Sequence, residues 1–241
     1  MTGSEPGSQA PASWWEDFLE IFYAPSKVFA RREKANFLLP LLVLTVLITV
    51  VFLGTRGAIE PAYQADAARG IAAALEANPE LTAETLEGGA RTMERFAPII
   101  VFFFIPITVL LTGILLWVAG KFVGAKQTVG AAMVVATFAN FPKLVQSLVN
   151  GIQGLVLPVE SLDGMSRLSI GPARLLDPNM ASPMALGLGM RADLFIIWVT
   201  VLLAIGLKVT GKITMGAAAA AAAIVYVVGA FPTILGALRA G

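Results

Sequence analysis

The sequence predicts an all-α, polytopic membrane protein with five transmembrane helices, and three observations predict it. Hydrophobic residues make up 57% of the 241 and charged residues only 14%, where a soluble domain carries roughly 25% charged. The mean hydropathy of the whole chain is +0.79. The apolar residues are also gathered into blocks of about 20, the helical length that crosses a hydrocarbon core of about 30 Å.

The blocks fall at roughly 36–54, 97–119, 129–151, 193–207 and 213–238. The fourth, "DLFIIWVTVLLAIGL", is short and is expected to borrow a turn at each end. Between the blocks lie a long loop 55–96, the tight turn "KFVGAKQT", a second long loop 158–192 and the turn "KVTGK".

The segments ahead of the first block differ in kind. Residues 1–12 are Gly, Ser, Pro and Ala with one acid, too little apolar surface to order themselves, and read as a disordered tail. The first block begins near residue 37 behind acids and aromatics, so no cleavable signal peptide is expected. Residues 13–35 form an interfacial element. Ser13 with Glu16 fits a capping box. Trp14, Trp15, Phe18 and Phe22 are expected on one helical face, with Glu16, Asp17 and Glu20 largely opposite. Pro25 ends that helix, and Lys27, Arg31, Arg32 and Lys34 follow. Aromatics and cations beside a span point to a helix lying at the membrane surface. The alternative is a short helix packed on the protein itself.

The charges orient the chain. The tight turns hold Lys121, Lys126, Lys208 and Lys212 without an acid, whereas loop 55–96 holds no Lys, four Arg and seven acids. The positive-inside tendency then puts the N-terminus and the tight turns in the cytoplasm, and both long loops and the C-terminus outside. Within 55–96, "YQADAARGIAAALEA" has helical spacing. Asn78 with Pro79 reads as the start of a second helix, interrupted at Gly88-Gly89. Two short extramembrane helices are expected. Loop 158–192 is too polar to span and apolar enough to lie on the bundle.

An internal repeat joins spans two and three to spans four and five. "GKFVGAKQTVGAA" (120–132) aligns with "GLKVTGKITMGAA" (206–218) at an offset of 86, and "NFP" (140–142) resembles "AFP" (230–232). Both hairpins run in the same direction, so the repeat is parallel. Span five, with its run of Ala217 to Ala223, has small residues on nearly every face and is expected at the centre of the bundle. Pro142 and Pro232 are expected to kink spans three and five.

The function classes narrow quickly. There is no Cys and no His, which removes thiolate catalysis, disulfides, the commonest general base and the commonest transition-metal ligand. No metal and no cofactor are expected. A net charge of +1 points to no nucleic-acid partner. A Ser-Lys pair, Lys143 with Ser147, stands one turn apart, but no substrate site accompanies it, and an enzyme is not expected. The constellation that remains is a polar stripe on span three. Lys143, Gln146, Asn150 and Gln153 are spaced 3, 4 and 3 on one helical face, with Asn140 ahead of them. An ionisable residue inside a membrane is a functional hypothesis by default, and a Pro-broken helix at mid-depth is how transporters expose backbone. The stripe therefore reads either as a contact surface for a partner or another helix, or as the lining of a substrate path. The candidate contact residues on it are Asn140, Lys143, Gln146 and Asn150.

Three stretches resemble the Yip (Ypt-interacting protein) family of multi-span membrane proteins. They are "FYAPSKVFARREKANFLLPLL" before span one, "KFVGAKQTVGAAMVVATFANFPKLV" in span three, and "DLFIIWVTVLLAIGLKVTGKITMGAA" in span four and its turn. The last is most similar to bacterial-type members. The resemblance covers roughly 14–54 and 97–238 and implies a five-helix membrane domain with a cytoplasmic N-terminus, while the spans and loops together read as a membrane domain over 36–241. Eukaryotic members are similar scaffolds that bind small Rab-type GTPases. This chain lacks the long N-terminal region expected for that, so GTPase binding is not carried over. The expectation is a scaffold or partner-binding component of the inner cell membrane, in contact with the lipid bilayer and with an unidentified membrane protein or a second copy. The alternative is a small transporter or channel subunit.

Overall fold

In a computed structural model of the chain, residues 13–78 and 80–240 are described. The tail 1–12, Pro79 and Gly241 lie outside them. The described residues are helical, with no strand among them. Five segments are long and apolar enough to cross a membrane.

A short helix α1 (Trp14–Glu20) leads through a turn into α2 (Pro25–Arg32). The first span is α3 (Leu38–Ala77) and the second is α4 (Ala83–Phe122), each 40 residues. The third span is made of two helices, α5 (Val129–Ala139) and α6 (Pro142–Val156). Three 3₁₀ turns and α7 (Pro183–Arg191) occupy the second long loop. The fourth and fifth spans are α8 (Leu194–Gly211) and α9 (Met215–Ala240).

The first long loop differs from expectation. Among the described residues of 55–96 there is no separate extramembrane helix: α3 and α4 continue out of their spans. Asn78 caps the end of α3 rather than the start of a helix, and Thr82 caps α4, its hydroxyl accepting from Thr85 N–H at 3.3 Å. Ala is the best helix former and propagates α3 outward, while Gly88 and Gly89 each cost about 1 kcal/mol without being forced to break the helix. The 40-residue length gives about 60 Å per helix at 1.5 Å rise. The outer part of each therefore runs on past its apolar block, with α3 packed by the second long loop as far as Asp66, which accepts from Met165 N–H at 3.0 Å. Arg56 pairs with Glu94 at 2.9 Å across the base of this arm.

The tight turns behave as a repeat. The Thr128 hydroxyl accepts from Ala131 N–H at 3.1 Å and starts α5, and the Thr214 hydroxyl accepts from Ala217 N–H at 3.2 Å and starts α9. These caps are 86 residues apart. The two turns also touch each other, with Lys126 N–H donating to Gly211 C=O at 3.0 Å. Beneath them Gln127 is buried and accepts from the Thr210 hydroxyl at 2.9 Å. Span four gains its extra turn at this end only, because Asp193 caps its start.

The centre of the bundle is α5, not span five. Every residue from Ala131 to Ala139 is buried. In α9 one face is covered, through Ala218, Ala221, Ala222 and Val225, while Ile224, Val227 and Val228 remain exposed. Small side chains allow close approach, but an Ala offers little area to bury on its other faces. Span three is clasped on its far side by α3. A Cβ on Gly154 would lie 2.5 Å from the Ala58 carbonyl oxygen, so these two backbones are in direct contact.

Candidate site at the break in span three

The third span breaks because Pro142 has no N–H and its ring excludes the preceding turn. The backbone groups freed there are satisfied locally. Asn140 and Phe141 donate to Thr137 and Phe138 C=O, each at 3.2 Å, as a tightened last turn. The Asn140 side chain, 2% exposed, donates to Ala136 C=O at 2.7 Å. Asn140 is thus a cap within the helix, aimed at its own backbone. The second copy of the motif behaves otherwise, since α9 runs through Pro232 unbroken. Pro142 separates two helices and Pro232 does not.

Beyond the break the polar stripe meets the second long loop. Gln146 Nε2 donates to Asp193 Oδ1 at 3.1 Å. Asn150, with its amide turned to donate, reaches Leu168 C=O at 3.0 Å. Gln153 Nε2 donates to the same carbonyl at 2.9 Å, and Arg174 donates to Gln153 Oε1. Asp193 gathers the rest: it accepts from the Ser169 hydroxyl at 2.8 Å, Ile170 N–H at 2.7 Å and Phe195 N–H at 2.9 Å. The three amides of α6 therefore hold loop residues 168–174 and the start of α8. Buried amides need such partners, because leaving one unmade costs about 1–3 kcal/mol.

Lys143 stands apart from this network. It is half-buried, and among the described residues its Nζ has no hydrogen bond or ion pair. Arg191 is a like charge near it. The Ser147 hydroxyl donates to the Lys143 carbonyl at 3.0 Å, not to its ammonium. Arg191 itself leans on α9, donating to Tyr226 C=O at 2.6 Å with its guanidinium 4.6 Å from the Tyr226 ring centre. A hollow of about 280 Å³ is lined by Glu160, Asp163, Arg167 and Arg174, and one of about 100 Å³ by Thr55, Tyr63, Ser147 and Asn150. Lys143 lines neither.

The other side of the break is covered by the N-terminal helices. The capping box forms as the sequence predicts. The helix then divides differently from expectation. Trp14 stacks on Phe138, with centroids 6.4 Å apart, and Phe18 stacks on Phe141 at 4.9 Å. Phe22 meets Trp198 edge-on at 5.6 Å. Trp15 faces away, 70% exposed, in line with Leu19 and Tyr23. Asp17 is fully buried and is held by both Arg31 and Arg32, and Arg32 lies 3.9 Å over the Trp14 ring. Lys27 is exposed. Periodicity alone assigns Asp17 to the outer, polar face. The signal for its burial is the pair of arginines 14 and 15 residues on, returned to it by the turn at Pro25.

The break thus joins three parts: an aromatic cover from the N-terminus, a central buried helix, and an amide face that binds the second long loop. Asp193, Ser169 and Leu168 complete that face, although the sequence pattern of span three points to none of them. No curated protein and no solved structure matches the chain. The family model described as the Yip1 domain matches residues 19–236, which takes in α2, the first four spans, most of the fifth and both long loops. Over that extent the match covers nine-tenths of the sequence, and the chain belongs to the Yip1 domain family of membrane proteins.

Proposed function

We propose that this protein is a non-enzymatic scaffold or partner-binding component of the inner cell membrane. The observation that carries the reading is the occupied amide face of α6: Gln146, Asn150 and Gln153 are engaged by the loop and by Asp193. Side chains that line a substrate path need free donors or acceptors along it. Here Asn140 also bonds its own helix. The reading against an enzyme rests on Ser147 bonding a backbone carbonyl rather than a base. The lysines of the tight turns support a cytoplasmic N-terminus and an outer C-terminus.

On this reading the partner contact lies on the projecting arm of α3 and α4, where Tyr63, Met93 and Phe96 are exposed at 46%, 62% and 47%. A photo-crosslinking residue at Met93, tested in native membranes, should yield one discrete adduct. The same residue at Phe104, an exposed position of span two, should yield lipid adducts alone. A Met93 pattern indistinguishable from Phe104 would remove the arm as a partner surface. The competing reading is transport past Lys143, the charged member of the stripe that has no partner.

A further inference from the structure

The aromatic contacts of α1 fix its depth. The level can be counted from a close contact between α4 and α5, where a Cβ on Gly113 would lie 2.6 Å from Met133 Sδ and 3.3 Å from its Cα. Phe138 is five residues further from the tight turn on α5. Five residues further on α4 is Thr108. Each step is about 7.5 Å at 1.5 Å per residue. Thr108 is the midpoint of the apolar run 97–119. The rings of Trp14 and Phe18 therefore sit against the middle of the apolar slab, not at the turn end of the bundle. The partner helix gives a second bearing. Phe29 of α2 lies 3.2 Å from where a Cβ on Gly206 would stand, five residues above the end of α8 at Gly211.

At this level the outward side of α1 is apolar. Trp15, Leu19 and Tyr23 are spaced by four and are 70%, 69% and 76% exposed. Side chains of α4 at the same level, Phe104 and Ile107, are exposed at 61% and 53% within the apolar span. Charge on the inward side is matched within the protein, Asp17 by Arg31 and Arg32. Glu16, Lys27, Arg31 and Lys34 are exposed, and a bilayer meets such charges by thinning locally and letting headgroups follow them inward.

We infer that α1 and α2 form a re-entrant element set near mid-bilayer, with Trp15, Leu19 and Tyr23 against lipid acyl chains and the headgroups of the turn-end leaflet drawn in to Lys27. The occupant of the stripe is the bilayer itself. The inference uses membrane insertion of the five spans and is independent of whether the protein is a scaffold.

The chain has no Cys, so a single nitroxide can be placed by Trp15→Cys, Leu19→Cys, Tyr23→Cys or Lys27→Cys in the full protein. Ile107→Cys marks mid-span and Phe122→Cys marks the turn end, 15 residues or about 22 Å lower. In phosphatidylcholine–phosphatidylglycerol vesicles, the ratio of collisions with oxygen to collisions with a nickel chelate rises with depth. The expected result is a ratio at Leu19 equal to that at Ile107 and several-fold above that at Phe122, with Lys27 close to Phe122. A Leu19 ratio equal to that of Phe122 would overturn the inference and make α1 a surface helix. Low collision with both reagents would also overturn it, because the stripe would then be covered by protein. Trp15 and Tyr23 give the same reading independently should one variant fail to fold.

Discussion

Asp17 shows how much a single position depends on groups distant in sequence. Its carboxylate is enclosed, and the side chains of Arg31 and Arg32 that hold it keep 27% and 15% of their exposure. Removing one partner of a buried ion pair costs about 3–5 kcal/mol, because the remaining charge is left without compensation. With both arginines partly exposed, Asp17→Ala is expected near the lower end, about 3 kcal/mol. The measurement is thermal unfolding in detergent, followed by the fraction that stays monodisperse. A second residue carries a pH dependence. The hydrogen bond from Arg167 holds the Asp163 carboxyl below its ordinary value, and Arg167 is raised in turn by that bond. A depressed carboxyl stabilises the fold above its unfolded pKa, about 3.9, and that stability is lost as pH falls through the folded value. Both side chains keep nearly a third of their exposure, so the pair is worth under about 1 kcal/mol. Asp163→Asn should therefore lower stability slightly at pH 7 and leave it unchanged at the acid limit below the folded value.

At the scale of elements, the clasp of α3 on α6 is the contact with least tolerance. A side chain at Gly154 meets backbone, the Ala58 carbonyl at 2.5 Å, which cannot rotate away. Gly154→Val should cost about 2–3 kcal/mol by overpacking and weaken the seat of the second loop. Gly70, in the projecting part of α3, has nothing within 4 Å of its Cβ position. Gly70→Ala should gain about 0.5–1 kcal/mol from helix propensity. The pair of variants, compared by unfolding midpoint, separates packing from propensity. Element existence was legible in the sequence because each span is a continuous apolar block. Element length was not. Asn78 does end a helix, but a 40-residue one, and Gly88-Gly89 looks like punctuation yet lies within α4, which Thr82 caps. Span three is divided into two helices at Pro142 and α9 continues through Pro232, since the same residue type is tolerated where neighbouring helices hold the chain.

The whole molecule is a Yip1-domain bundle whose central helix is broken at mid-height and covered on two sides. The five spans and the two repeated turns could be read directly from hydropathy and from the matching Lys-x-Thr-x-Gly-Ala-Ala stretches. The centre of the bundle could not, because small residues suit both a buried helix and one exposed along its flank. The amide stripe was legible as a face. What it touches was not, because Asp193, Ser169 and the Leu168 carbonyl come from a loop with no periodicity to place them. That occupied face is the centre of the account. Its most direct test is thiol accessibility at Lys143→Cys and Gln146→Cys in the Cys-free chain, with a membrane-impermeant maleimide applied from one side of sealed vesicles and then from the other. Neither position is expected to be labelled from both sides. Labelling of the same position from both sides, in intact vesicles, would place a water-filled path along span three and contradict it.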